Sequence, residues 1–260
     1  MIRASSVMPA VTRTPWVIVP EPNAAARLRL LCFPYAGGGP SVFSGWPRAL
    51  PSDVELCAVQ MPGRERRLSE PPITDWDEVV DRMVDGLAPW TERPCALFGH
   101  SLGAVLAFEL ARRLRRLPRC GLVHLFVSGC RAPHLPFGDG AIHHLPDQEF
   151  VDGLRRLRGT PEELFDSPEL LELFLPVLRA DLMLAETYAC RGDAPLDVPI
   201  SAYGGREDAQ ETPPMVSEWR AHTTSAFLSS TFPGGHFFVK EESAALLSQL
   251  SRELQRITAL

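Results

Sequence analysis

The sequence has no stretch of about 18 consecutive apolar residues, so no segment reads as a membrane-spanning helix. Its opening residues, MIRASSVMPAVTRTPW, hold no continuous apolar run of the kind a secretion signal needs. It lacks an excess of positive charge: 26 Lys and Arg stand against 32 Asp and Glu, a formal balance of −6. That argues against a general nucleic-acid binder, which carries a basic field. It also lacks paired cysteines. The six, at 32, 57, 95, 120, 130 and 190, never fall at C-x-x-C spacing, so the usual metal-ligand pattern is missing. Four of them lie in or beside apolar runs, where a reduced thiol acts as a small hydrophobe. No internal repeat and no low-complexity tract is found. A reducing cytoplasm is the expected compartment.

What is present is a chain of 260 residues, 45% hydrophobic, enough to bury a substantial core. RLRLLCFP, VELCAVQMP, CALFGH, LVHLFVSGC, PISAYGG and AFLSSTFPGG are short apolar runs, most of them ending at Gly or Pro, and read as strands. Helical patterns fall between them, over Asp75–Ala88, Leu102–Leu117, about Met215–His222 and Glu241–Ile257. This alternation predicts a mostly parallel sheet with right-handed crossovers and helices on both faces. The basic run RRLRRLPR, Arg112 to Arg119, closes one of those helices and is expected to be a solvated helix end.

From about Arg131 to Asp197 the rhythm stops. LPDQEFVDGLRRLRG predicts a helix capped by Asp147, with Glu149 in its first turn. SPELLELFLPVLRADLMLAETYAC predicts a second, capped by Ser167 with Pro168 at its first position, and kinked or split at Pro176. That helix is apolar nearly all round. Either it is sandwiched between helices, or it belongs to an inserted cap whose inner face lines an apolar pocket.

The strongest chemical signal is Gly99-His100-Ser101-Leu102-Gly103, lying between a strand and a helix. In that setting G-x-S-x-G places a serine at the apex of a sharp turn, beside the positive end of the helix. Serine needs a base. His236, in FPGGHFFV after the last predicted strand, has the right place for one. His100 reads as structural or pocket-lining, His124 as core, His222 as a helix cap, and His134, His143 and His144 as exposed loop residues. The imidazole needs an orienting acid. Asp208 in PISAYGGREDAQ is the choice, with Glu207 a close rival and Asp197 a distant one.

FPYAGGGPSVF, Phe33 to Phe43, follows the first predicted strand. No lysine follows its glycines, so it is not a phosphate-binding P-loop, and Val42 stands where a dinucleotide fingerprint needs glycine. A nucleophilic serine elsewhere makes this loop a source of an oxyanion donor. Its best candidate is the N–H of Ala36, paired with the N–H of Leu102.

FPYAGGG, MPGRERRL, FGHSLGA, LPVLRADLMLAETY, PISAYGGREDA and FPGGHFF together resemble the type II thioesterases that accompany modular polyketide synthases and nonribosomal peptide synthetases. The likeness spans about Leu30 to Leu250. It implies one α/β-hydrolase domain over 1–260: a mostly parallel central sheet flanked by helices, with a helical lid inserted at approximately 131–197. It implies Ser101, Asp208 and His236 as the catalytic triad and Ala36 and Leu102 as the oxyanion donors. No cofactor and no metal are expected. The implied partners are acyl or peptidyl carrier proteins bearing phosphopantetheine-bound acyl chains, with no nucleic acid and no membrane involved, and a monomer is the expected state. Relatives often carry Met where this chain has Leu102. Arg64 also fits the family pattern, as an ion-pair partner or as a contact for the entering pantetheine arm, the ion pair being favoured. Other serine hydrolases (a carboxylesterase, a fatty acyl-carrier thioesterase), an acyltransferase or cyclase, and a non-catalytic carrier-binding protein are the competing readings.

Overall fold

All six apolar runs form strands, and a seventh, short strand joins them at one edge. The computed structural model describes residues 14–137, 140–157, 162–192 and 194–259. Residues 1–13 of the segment read for a secretion signal lie outside that range. The strands are β1 (Val17–Ile18), β2 (Leu28–Phe33), β3 (Val54–Val59), β4 (Cys95–His100), β5 (Leu122–Ser128), β6 (Ile200–Gly205) and β7 (Phe227–Phe232). They make one sheet in the order β1-β3-β2-β4-β5-β6-β7. Every pair is parallel except the edge pair β1–β3. Two residues of β1 were too few for any period to be seen in the sequence.

Strand side chains alternate between two cores, as period 2 requires. Leu31, Phe33, Cys57, Leu97, Leu125 and Val127 face one side. There they meet α1 (Trp76–Thr91) and α2 (Leu102–Leu114). Leu30, Cys32, Leu56, Ala96, Phe98 and Phe126 face the other, where Leu246, Leu250 and Leu254 cover them. Those leucines belong to α8 (Ser243–Thr258), which follows the short α7 (Phe238–Glu241). The single helix expected over Glu241–Ile257 is thus two. α1 begins where Asp75 accepts the Glu78 N–H at 2.8 Å, and it runs on through Pro89 beyond its expected end. The helix expected over about Met215–His222 is α6 (Pro213–Ser217) followed by a 3₁₀ turn over Glu218–His222.

Between β5 and β6 stand α3 (Asp147–Leu157), α4 (Glu162–Phe165) and α5 (Pro168–Thr187). No named strand occurs there among the described residues. Asp147 is the first residue of α3 rather than a cap preceding it. Ser167 does cap α5, its Oγ accepting the Leu170 N–H at 3.3 Å, with Pro168 next. Pro176 does not split α5, which is assigned as one helix of 20 residues. Ile142, Phe150, Val151, Leu154, Phe165 and Leu178 form a small core of their own, separate from the two on the sheet. The inserted segment therefore packs as a unit.

The basic run at the end of α2 is more than a solvated end. Arg112 is 5% exposed, bonded to Glu109 at 2.6 Å and to the Arg191 carbonyl. Arg113 pairs with Asp81, and Arg115 donates to the carbonyls of Ala194 and Pro195. These bonds moor the chain that returns from the inserted segment towards β6.

Candidate active site

Ser101 links β4 to α2 with φ 55° and ψ −123°, a backbone state that side chains disfavour. Such strain costs on the order of 1–3 kcal/mol and persists only where surrounding structure enforces it. The flanking glycines show how. A β-carbon on Gly99 would stand 2.1 Å from the Gly103 carbonyl oxygen. One on Gly103 would stand 2.2 Å from the Phe33 oxygen. The Ser101 N–H donates to the Ser128 carbonyl at 2.8 Å, tying the elbow to the end of β5. The serine is thereby held at the first turn of α2, where the macrodipole favours developing negative charge.

Two loops bring base and acid together. The chain leaving β6 packs backbone to backbone on the chain leaving β7. Arg206 N–H donates to Phe232, Glu207 N–H donates to Gly234, and a β-carbon on Gly205 would stand 2.3 Å from the Gly235 oxygen. Asp208 then meets His236, Nδ1 to Oδ2 at 2.8 Å. The other oxygen, Oδ1, accepts the N–H groups of Gln210 and Glu211. Burial raises the Asp208 pKa, but the bond to and charge of His236 and the N–H groups of Glu211 and Gln210 outweigh it. The carboxyl stays below its ordinary value and is ionised, so Nδ1 donates and Nε2 is left as the basic nitrogen. Glu207 and Asp197 are exposed, and it is Asp208 that bonds His236.

Ser101 and His236 line the same cavity, of about 460 Å³, but no hydrogen bond joins them in this structure. Such bonds are often long in unliganded enzymes and tighten with substrate. Tyr35 and Ala36 enter the cavity from the loop after β2, and Leu178, Leu182 and Ala185 from α5. α5 packs on α2 on one side and on α3 and α4 on another, and also lends Leu178, Leu182 and Ala185 to the cavity wall, so each of its two expected settings describes part of it. Its outer side leaves Leu170, Leu173 and Met183 exposed. Among the described residues, the N–H groups of Ala36 and Leu102 find no acceptor. Arg64 is buried in an ion pair with Asp181 of α5, at 2.6 and 2.9 Å, and does not line the cavity. Of its two expected roles, the ion pair is the observed one.

Residues 28–254 match the family described as thioesterase domain. The chain belongs to that family. The gramicidin S biosynthesis protein GrsT of Aneurinibacillus migulanus is 39% identical over 244 residues, 94% of this chain and 95% of that protein. Among solved structures, the RedJ thioesterase of the prodiginine pathway in Streptomyces coelicolor superposes with a TM-score of 0.82 at 43% identity, covering 89% of this chain and 87% of that one. The type II thioesterase BorB of the borrelidin biosynthetic cluster superposes with 0.83 at 38% identity, covering 92% and 97%. The thioesterase accordingly has the α/β-hydrolase fold that the resemblance implied.

The remaining histidines of the thioesterase divide unevenly. His100 is 1% exposed and bonds Ser128 Oγ at 2.9 Å. Burial, and then the nearby His236, hold its imidazole well below the ordinary value. It is buried beside His236, the ring centroids 5.3 Å apart, and is not among the residues lining the cavity. His124 is core, as expected, and bonds Ser201 Oγ at 2.9 Å. His134 is exposed but bonded to His222, Nδ1 to Nε2 at 2.8 Å. His143, expected in an exposed loop, is partly buried against Glu186 at 2.5 Å. Glu186 lines the cavity and also accepts the N–H groups of Ile142 and His143. Arg131 and Glu211 form an ion pair in the cavity wall, at 2.9 Å. Sequence reasoning missed both pairs, because their partners lie 43 and 80 residues apart without a shared motif. Four of the six cysteines, Cys32, Cys57, Cys95 and Cys130, are buried, and all six are free. No helix is long and apolar enough to cross a membrane, and no cluster fit to hold a metal ion occurs among the described residues.

Proposed function

We propose that the thioesterase removes acyl groups from the phosphopantetheine thiol of acyl or peptidyl carrier proteins, through an acyl-enzyme on Ser101. His236 takes the Ser101 proton through Nε2 while Oγ attacks the thioester carbon. Asp208 steadies the imidazolium. The tetrahedral oxyanion rests on the N–H groups of Ala36 and Leu102. The C–S bond breaks and the thiol leaves with the proton from His236. A thiol with a pKa near about 8.5 is a good leaving group, so this step needs less assistance than ester cleavage. Water, deprotonated by His236, then attacks the acyl-serine, and the free acid departs with Ser101 restored. The segment at about 131–197 acts as the lid over the acyl chain. A single domain, working as a monomer in the cytoplasm without cofactor, belongs to the same reading.

One observation carries it: a serine on a strained elbow and an Asp-oriented histidine open onto one largely apolar cavity. GrsT and BorB, named for gramicidin S and borrelidin biosynthesis, support the choice of carrier-bound substrates. The test is a panel of acyl-loaded carrier proteins and free esters, followed by mass spectrometry. Free acid and unloaded carrier are expected, with none from Ser101→Ala. Preference for free esters would remove the carrier-protein claim. An ester, amide or macrocyclic product would make the enzyme a transferase or cyclase.

A further inference from the structure

The loop that carries Ala36 has no strand beside it, so something else must fix its backbone. Gly38 N–H donates to the Tyr35 carbonyl at 2.9 Å, closing a four-residue turn over Tyr35–Gly38. Its third residue, Gly37, has φ +75°, whereas Ala36 has no positive φ. That combination is a type II turn, which differs from type I by a flip of the central peptide. The central peptide here joins Ala36 to Gly37. Its N–H donates to Asp181 Oδ2 at 2.7 Å.

Asp181 is 2% exposed and sits on α5, the helix that walls the cavity. Arg64 holds its carboxylate in a two-pronged grip, Nη1 to Oδ2 at 2.6 Å and Nη2 to Oδ1 at 2.9 Å. Nη1 of Arg64 also donates to the Gly38 carbonyl at 3.2 Å, and Nε to the Pro62 carbonyl at 3.2 Å. Gln60 Nε2 holds the Arg64 carbonyl in turn. One arginine and one aspartate thus grip both ends of the Gly37–Gly38 segment. Leu178, one turn before Asp181, closes the gap: a β-carbon on Gly37 would stand 2.4 Å from Leu178 Cδ2.

We infer that Arg64 and Asp181 are positioning residues for the oxyanion hole: they lock the Tyr35–Gly38 turn, whose first peptide, its Tyr35 carbonyl held by the Gly38 N–H, turns the Ala36 N–H the opposite way, toward the reacting carbonyl, and seating of α5 completes the hole. This rests on the reading of Ala36 as a donor. A pair serving charge balance alone would need no bond to the turn beside it. Here the carboxylate accepts from the turn and the guanidinium at once, on the same oxygen.

Removing one partner would strand a buried charge and endanger folding. Two double variants avoid this. Arg64→Met with Asp181→Leu replaces the pair by apolar groups and deletes the acceptor for Gly37. Arg64→Met with Asp181→Asn is also neutral but keeps an oxygen for that N–H. The first should lose on the order of 10–100-fold in kcat, part of what losing a whole oxyanion donor costs, with KM within about twofold. Its affinity for an alkylboronic acid, which forms a tetrahedral adduct on serine, should fall in parallel. Its affinity for a non-hydrolysable acyl-pantetheine amide should stay unchanged. The asparagine variant should recover most of the rate. Equal kcat in wild type and both folded variants would overturn the inference, as would a loss of amide binding equal to the loss of boronate binding. Ser101→Ala, run alongside, separates the two claims: turnover surviving in it would overturn the proposed mechanism rather than the positioning role.

Discussion

The Cα of Gly103 approaches the carbonyl oxygen of Phe33 so closely that a β-carbon there would stand 2.2 Å from it. This contact sets the spacing between the start of α2, which carries the Leu102 N–H, and the end of β2, which leads to Ala36. The second glycine of the serine motif is thus a spacer between two candidate oxyanion donors. Gly103→Ala must push the helix from the strand. The expected result is a stability loss of about 1–3 kcal/mol and a fall in kcat of about 10²-fold or more. Chemical denaturation and steady-state kinetics on one preparation test both. A folded variant with wild-type kcat would show that the spacing does not matter.

Asp208 is fixed by three bonds, one to His236 and two from the N–H groups of Gln210 and Glu211. Asp208→Asn keeps an oxygen for the backbone donors and gives the imidazole the wrong partner on one side. The expected loss in kcat is about 10⁴-fold with little change in folding. Glu207→Gln, next to it but exposed, should remain within about twofold of wild type. If the two variants exchanged these behaviours, the acid would have to be reassigned to Glu207.

The grouping of the candidate site was more legible in the sequence than the packing around it. Ser101, Asp208 and His236 each follow a short strand closed by Gly or Pro, and chain order together with the family resemblance separates the roles expected of them. The fold was legible for the same reason, since six of the seven strands announce themselves by composition. What escaped were features set by long-range contact. β1 is two residues long and exists because Val17 and Ile18 find Val59 and Ala58. His143 looks like an exposed loop residue until Glu186, a carboxylate on a helix 43 residues away, is found beside it. Pro176 looked able to split α5, yet the helix passes through it, as α1 passes through Pro89. In both, buried side chains follow the proline, Val177 and Leu178 in one and Trp90 in the other, so packing outweighs the lost backbone bond.

His124 makes the fold sensitive to acid. Ser201 donates to Glu253 Oε2, so its oxygen accepts from His124 Nε2–H and the imidazole is neutral. Burial pushes the His124 pKa down to about 4 from 6.5. The folded value lies below the unfolded one, so stability is full above pH 6.5 and is lost as pH falls through that value toward 4. The loss at the lower limit is roughly 3 kcal/mol. His222, lowered to about 4 by burial, then His134 and Arg112, acts with the same sign in the same window. Urea midpoints across this range should therefore fall on acidification, and His124→Gln should flatten the slope. A His124→Gln protein with the wild-type slope would place the acid sensitivity elsewhere.

Ala185 is where cavity length is most open to change. It lies on the last turns of α5 and lines both the main cavity and a smaller one beside Ser101 that continues toward Tyr188. Its side chain is only half-buried, so a phenyl ring at 185 has room to turn into the cavity rather than to burst a packed core. Each methylene that a hydrophobic pocket excludes is worth about 1–3 kcal/mol in discrimination. Ala185→Phe should therefore leave kcat/KM for acetyl-loaded carrier within about threefold of wild type, while octanoyl-loaded carrier loses about 10²-fold or more. Parallel losses for both chain lengths would mean that the ring disturbs Ser101 itself. No loss for either would mean that the acyl chain runs the other way, along Leu178 and Leu154 beneath the inserted helices.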